Sequence, residues 1–141
     1  MSRVFWDTNL FIYLFEGSGP RTDRVIEVRQ RMLDRRDILV TSTLTLGEIL
    51  VLPLEQARDD LVDRYTFLLT SAAVALVPFD VDCARTFAGL RSDRTLRPPD
   101  AIQLACAARA GCDLFITNDD RLSSRTVPGI QFICSLDRAP L

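Results

Sequence analysis

Short apolar runs alternate along this chain with longer segments whose apolar residues recur every three or four positions. The short runs are rich in β-branched and aromatic residues, and they predict strands at residues 3–6, 37–41, 74–78, 113–117 and 130–134. The longer segments predict helices near residues 9–16, 21–35, 43–51, 55–70, 81–91, 99–110 and 119–123. In the second of these, arginines and acids lie opposite an apolar stripe formed by Val25, Val28, Met32 and Leu33.

Strands separated by helices favour a parallel sheet, because each connection must cross from one end of the sheet to the other. We therefore expect an α/β fold in which a central parallel sheet of about five strands lies between two layers of helices. A length of 141 residues corresponds to one domain, spanning residues 1–141. Pro98 and Pro99 mark the start of one helix, and Gly111 marks its end.

The composition is that of a folded globular protein, with 48% hydrophobic and 26% charged residues. No apolar run approaches the roughly 18 residues that a membrane-spanning helix needs. The run "LFIYLF" near the amino terminus is short for a signal peptide and lacks a small-residue cleavage site after it. We expect a cytoplasmic protein.

The absence of histidine limits the chemistry that this chain can perform. A Ser-His-Asp triad, a Cys-His pair and histidine ligands to a metal are all excluded. All 17 basic residues are arginine, which suits phosphate recognition but also follows from a codon bias. The net charge of −2 argues against a broadly basic surface for nucleic acid. We expect the four cysteines, which form no C-x-x-C pair, to be buried thiols.

Four acidic residues fall where the carboxyl ends of the predicted strands lie. Asp7 and Asp119 follow the first and fourth strands directly, and Glu48 lies about one turn inside the helix after the second strand. Asp100 begins the helix that runs antiparallel to the fourth strand, so it lies at the same edge. Each has an ordinary alternative: Asp7 and Asp119 as helix caps, Glu48 as a solvated residue, and Asp100 as an acid at a helix amino end.

The ordinary alternatives do not explain why four carboxylates converge. Two like charges about 4 Å apart repel by about 4 kcal/mol at an effective dielectric constant of about 20. Protonation or a bound divalent cation relieves this repulsion. Oxygen ligands alone favour Mg²⁺ or Mn²⁺ over zinc. The sequence therefore predicts a site for one or two of these ions at the carboxyl edge of the sheet.

Four stretches, "FWDTN", "TLTLGE", "RPPDAIQLA" and "LFITNDDRL", resemble the signature of PIN-domain ribonucleases, in particular VapC-type toxins of prokaryotic toxin–antitoxin pairs. The resemblance covers essentially the whole chain, and "PPDAIQLA" followed by "TND" is its most specific part. It implies a Mg²⁺- or Mn²⁺-dependent endoribonuclease whose products carry 5′-phosphate and 3′-hydroxyl ends. It also implies a homodimer and a cognate antitoxin that inserts a peptide segment into the active groove.

The resemblance assigns roles to individual residues. Asp7, Glu48, Asp100 and Asp119 match the family's acidic quartet, with Asp7 and Asp100 the strongest candidates for direct metal ligands. The carboxylates are oriented by neighbouring polar side chains, for which the candidates are Thr8, Asn9, Thr117 and Asn118, and Asp120 is a candidate to share or replace the role of Asp119. Independently of the resemblance, Arg97 and Arg121 flank the motifs and are, together with Arg94, candidates for binding RNA phosphates, and the alternative for each is a solvated surface arginine.

Other functions find less support in the sequence. A phosphatase with an aspartyl nucleophile needs a second acid where this chain has Asn9, and no P-loop motif is present. The alternative that stays open is an RNA- or protein-binding module in which the acids hold a structural cation and no cleavage occurs.

Overall fold

The chain forms five strands with one or two helices between successive strands, seven helices in all, and the computed structural model describes all residues from 1 to 141. The strands are β1 (Arg3–Trp6), β2 (Ile38–Ser42), β3 (Val74–Val77), β4 (Leu114–Thr117) and β5 (Phe132–Ser135). The helices are α1 (Thr8–Glu16), α2 (Pro20–Arg35), α3 (Thr43–Glu55), α4 (Asp59–Thr70), α5 (Val81–Leu90), α6 (Pro98–Arg109) and α7 (Asp120–Ser123).

The strands form one sheet in the order β3-β2-β1-β4-β5, and every neighbouring pair is parallel. The chain builds outward from β1 through β2 to β3, and then returns to place β4 on the other side of β1. The gap between β1 and β4 is thus the point where the winding reverses, and ligands bind at such a point in open parallel sheets. The predicted α/β/α fold with a parallel sheet of five strands is confirmed.

The two faces of the sheet carry separate hydrophobic cores because successive side chains of a strand point to opposite sides. Val4 and Trp6 of β1 pack in one core with residues of α1 to α4. Phe5, between them, packs in the other core with residues of α5 to α7, and its ring stacks on Phe115 with the centroids 4.9 Å apart. This near-continuous burial explains why the strands read as apolar runs.

Three elements differ from the predicted bounds by more than one residue. Helix α3 continues to Glu55 and contains Pro53 in its last turns. Pro53 has no backbone N–H to donate within the helix, but its side chain is buried, and the loss of this one hydrogen bond does not end the helix. Helix α4 begins only at Asp59, after a turn in which Ala57 adopts φ 52°. Strand β5 begins two residues late, at Phe132, because residues before it form a turn at Gly129.

The turn at Gly129 requires glycine for two reasons. Its φ is 97°, and a β-carbon there would lie 2.9 Å from the carbonyl oxygen of Ala108. This close approach fixes the start of β5 against the end of α6.

The signals at the two ends of α6 are confirmed, and the prediction of buried cysteines is correct for three of the four, since Cys134 is only half-buried. Helix α6 begins at Pro98 and Pro99, and the chain leaves it through Gly111 at φ 64°. All four cysteines are free, and three of them, Cys83, Cys106 and Cys112, are buried. None of the seven helices combines the length and apolar character needed to cross a membrane.

Candidate active site

A cavity of about 380 Å³ opens at the carboxyl edge of the sheet, next to the gap between β1 and β4. All four predicted acids line it: Asp7, Glu48, Asp100 and Asp119. The other lining residues are Thr8, Asn9, Ile12, Arg97, Pro99 and Gln103. Segments that are far apart in the sequence thus place four carboxylates around one space.

Asp7 is held in the floor of this cavity by the neighbouring strand β4 and by the first residue of α1. Its backbone N–H donates to the carbonyl oxygen of Ile116 in β4 at 3.0 Å. Its Oδ1 accepts from the backbone N–H of Thr8 at 2.9 Å, so that Asp7 caps α1, and its Oδ2 accepts from the Thr117 hydroxyl at 2.9 Å. The two interpretations of Asp7, as helix cap and as site residue, are therefore compatible.

The surroundings of Asp7 raise its pKa to about 6, chiefly because burial disfavours the ionised carboxylate. The hydrogen bonds from Thr117 and Thr8 lower the pKa, and the negative charges of Asp100 and Glu48 raise it. The carboxylates thus interact electrostatically, and a positive charge between them stabilises the ionised form of Asp7.

Glu48 is oriented by a buried hydrogen-bond network that the sequence analysis missed. The Thr8 hydroxyl donates its only proton to Glu48 Oε1, at 2.7 Å. Gln103 of α6 donates from Nε2 to the hydroxyl oxygens of Thr8, at 3.1 Å, and Thr45, at 2.8 Å. The Oε1 of Gln103 accepts from the Ser42 hydroxyl.

This network joins α1, β2, α3 and α6 beneath the cavity. Gln103 is only 2% exposed, so water can replace few of these hydrogen bonds to its amide. The sequence signal was a lone polar residue, three positions after Asp100, among the apolar residues of α6. The network supports Glu48 through Thr8.

Asp100 and Asp119 are bridged by one arginine. Arg97 donates from Nε to Asp100 Oδ2 at 3.3 Å and from Nη2 to Asp119 Oδ2 at 3.4 Å. Arg121 also donates to Asp119, from Nε to Oδ1 at 3.1 Å and from Nη2 to Oδ2 at 2.8 Å. The hydrogen bond from Arg121 is the main reason why the pKa of Asp119 is lowered.

The donor set fits a hard divalent cation in its chemistry, since it offers carboxylate oxygens and no nitrogen or thiolate ligand. In this conformation, however, no group of three or more acidic side chains is arranged to hold a metal ion. The contacts above give the reason: Asp119, and in part Asp100, are turned toward guanidinium groups. Asp7 and Glu48 are instead fixed by hydroxyl and backbone donors.

Of the other predicted site residues, some lie at the acidic cavity and others lie away from it. Asn9 is exposed and lines the cavity. Asn118 donates to the Tyr13 hydroxyl at 2.8 Å, and its side chain makes no hydrogen bond to any of the four acids. Asp120 is exposed and lines a separate cavity between α7 and β5. Arg94 is exposed and lines neither the acidic cavity nor that separate one. Thr8 and Thr117 are thus the polar neighbours that hold the carboxylates.

Comparison with known proteins identifies a family for most of the chain. The family model of the PIN domain matches residues 4–127. No curated protein matches the chain.

Several solved structures share the fold. A toxin–antitoxin complex from Klebsiella pneumoniae is 23% identical, with 90% of this chain and 94% of that chain covered and a TM-score of 0.64. VapBC2 from Rickettsia felis, bound to a DNA fragment from its promoter, is 12% identical, with 94% and 97% covered and a TM-score of 0.71. VapBC-5 from Mycobacterium tuberculosis is 22% identical, with 95% and 99% covered and a TM-score of 0.59.

Proposed function

This chain belongs to the PIN-domain family, and from that premise we propose that it is a metal-dependent endoribonuclease that hydrolyses RNA phosphodiester bonds. The observation that carries the proposal is that four separate segments bring Asp7, Glu48, Asp100 and Asp119 to one cavity. Nucleases of this family act on nucleic acid, which agrees with a site built from carboxylates and arginine. The RNA substrate and the dependence on metal are the parts to be tested.

The four carboxylates are the groups that would hold Mg²⁺ or Mn²⁺, as one or two ions. When bound, the metal supplies a water of lowered pKa and positive charge for the phosphate. The chain itself sets the direction of the ligands: Thr117 and the Thr8 backbone hold Asp7, and the Thr8 side chain holds Glu48. Arg97 lines the cavity and Arg121 pairs with Asp119 beside it, so both guanidinium groups are candidates to bind phosphate oxygens.

The direct test is cleavage of a panel of labelled RNAs with Mg²⁺, Mn²⁺ or EDTA. We expect scission with either metal, none with EDTA, and products with 5′-phosphate and 3′-hydroxyl ends. D7N and D100N should abolish cleavage while the circular dichroism spectrum stays that of the wild type. Binding of RNA that is insensitive to EDTA and is not followed by scission would instead indicate a binding module with a structural cation.

Asp119 and Asp120 provide a matched pair of substitutions. They are neighbours in the sequence, but Asp119 lines the acidic cavity and Asp120 does not. D119N should therefore reduce cleavage strongly, and D120N should leave it close to the wild-type rate. Equal losses in the two variants would contradict the assignment of Asp119.

We propose further that the protein is the toxin of a type II toxin–antitoxin pair. The likeness to solved toxin–antitoxin structures supports this proposal. Helices α3 and α4 also expose apolar side chains suited to a protein partner, namely Val51, Leu52, Leu54 and Phe67. Controlled expression should arrest growth in the wild type but not in D100N. Co-expression with a small linked upstream reading frame should restore growth, and light scattering should show a homodimer.

A further inference from the structure

A second, smaller cavity of about 210 Å³ adjoins the acidic one. The two share Arg97, Asp100 and Asp119, so that they form neighbouring parts of one groove. The second cavity adds Arg121 and Arg125, together with the lining residues Thr95, Leu96 and Leu122. Its position beside the acidic cavity makes it available to a chain-like ligand that already occupies the first.

The two cavities differ in charge. The acidic cavity is lined by four carboxylates and one guanidinium, whereas the second is lined by three guanidiniums and two carboxylates, and Asp93 pairs with one of the three guanidiniums, that of Arg125. An RNA strand carries a phosphate on every nucleotide, so a strand with one phosphate at the acidic cavity places another nearby. The second cavity offers that neighbouring phosphate three guanidinium groups as hydrogen-bond donors.

Arg125 is held in place before any ligand arrives. Its Nη1 donates to Asp93 Oδ2 at 2.7 Å, and its Nη2 donates to the Thr95 hydroxyl oxygen at 3.1 Å. Its Nε is buried and has no acceptor. Arg125 is the residue of this cavity that the sequence analysis missed, and its side chain is only 26% exposed.

Arg97 and Arg121 are held differently. Their side chains are 61% and 67% exposed, and they bond to the carboxylates of Asp100 and Asp119. Those two acids are also candidate ligands of the divalent cation. A carboxylate that turns toward a cation gives up guanidinium partners, and the freed guanidiniums then have phosphate as the nearest anion to bind.

We propose that Arg97, Arg121 and Arg125 form a subsite for the RNA phosphate next to the scissile one, and that Arg97 and Arg121 exchange carboxylate for phosphate when a divalent cation binds. The inference rests on the proposed nuclease function, of which it names the substrate contacts. It has a thermodynamic consequence: the cation and RNA bind cooperatively, each raising the affinity for the other by the same factor.

The test measures binding rather than cleavage. A short fluorescein-labelled single-stranded RNA is titrated with protein, by fluorescence anisotropy, in Ca²⁺ and in EDTA, at several salt concentrations. R125Q should weaken RNA binding about tenfold in both conditions, because Arg125 is in place without metal. The double variant R97Q/R121Q should bind RNA about as the wild type does in EDTA and more than tenfold less tightly in Ca²⁺.

Two controls accompany these variants. R109Q removes an arginine that pairs with Asp82 at 3.4 Å and lines neither cavity, and it should bind RNA as the wild type does. R125K keeps the charge at Arg125 without the planar fork, and it should bind RNA with intermediate affinity. Thermal unfolding of each variant shows that the loss of binding is not a loss of fold.

Calorimetric titration with Ca²⁺ in the absence of RNA supplies an independent measurement. R97Q/R121Q should bind Ca²⁺ more tightly than the wild type, since the competing guanidiniums are gone. If both arginine variants bind RNA and Ca²⁺ as R109Q does, while the wild type still cleaves RNA with Mg²⁺, the subsite is wrong and the nuclease function stands. If binding depends on these arginines but no metal supports cleavage, the subsite stands and the nuclease function fails.

Discussion

The stability of the metal-free protein should depend on Asp7 in an unusual way. Most carboxylates in folded proteins have a lowered pKa and stabilise the fold when they ionise. The pKa of Asp7 is instead raised, from 3.8 to about 6, because the carboxylate is buried and lies near other acids. At pH values between 3.8 and about 6, Asp7 keeps its proton in the folded protein but has released it in the unfolded chain. Stability therefore falls as the pH rises through this window.

The size of the effect follows from the shift. A difference of about two pKa units at about 1.4 kcal/mol per unit gives a cost of about 3 kcal/mol that is fully present above the folded-state pKa. D7N removes the charge and keeps the shape, and its amide oxygen can still cap α1. We expect metal-free D7N to be more stable than the wild type by up to about 3 kcal/mol at pH 7.5, falling to about 1 kcal/mol at pH 4.5.

Urea denaturation in EDTA, at pH values across this range, measures the difference. Trp6 is the only tryptophan, is fully buried and precedes Asp7 directly, so its fluorescence reports unfolding close to the site. D63N, at an exposed position on α4, controls for the loss of a carboxylate as such. A stability difference between D7N and the wild type that does not change with pH, or that shrinks as the pH rises, would refute the reasoning.

Further substitutions test the contacts that hold the carboxylates. Q103L leaves the hydroxyl groups of Thr8 and Thr45 without their buried donor. It should lower the free energy of unfolding, measured by urea denaturation, by about 1–3 kcal/mol. It should also weaken Mn²⁺ binding, measured by calorimetry. T117V removes the side-chain hydrogen bond that lowers the pKa of Asp7. As the pH is lowered, Asp7 should therefore take up its proton, and Mn²⁺ affinity should begin to fall, at a higher pH in T117V than in the wild type. An unchanged pH profile would show that Thr117 does not tune Asp7.

Local patterns in the sequence were sufficient to predict most of the fold. Buried parallel strands are apolar throughout, and amphipathic helices have a clear stripe, so the order and type of every element could be predicted. The end of α3 could not, because Pro53 reads as a helix end and only its burial in the folded chain explains why the helix continues. The resemblance to PIN domains is confirmed by the match over residues 4–127.

The convergence of the acids could be predicted because it depends on topology alone. Asp7 and Asp119 follow neighbouring parallel strands, and such residues meet at one edge. The partners of the acids could not be predicted, because they depend on tertiary packing: Gln103 reaches Thr8 across 95 positions, and Arg125 reaches Asp93 across 32. No local pattern of hydrophobicity reports contacts of that range. The roles of the acids in binding metal stay predictions.

Diffraction from crystals soaked in Mn²⁺ shows whether the four carboxylates together hold a divalent cation. The anomalous signal of manganese locates the ion independently of any assumption about its ligands. We expect a peak within coordination distance of Asp7 and at least one other acid of the quartet, and no peak there in crystals of D7N. A fully soaked wild-type crystal with no manganese among these carboxylates would contradict this expectation.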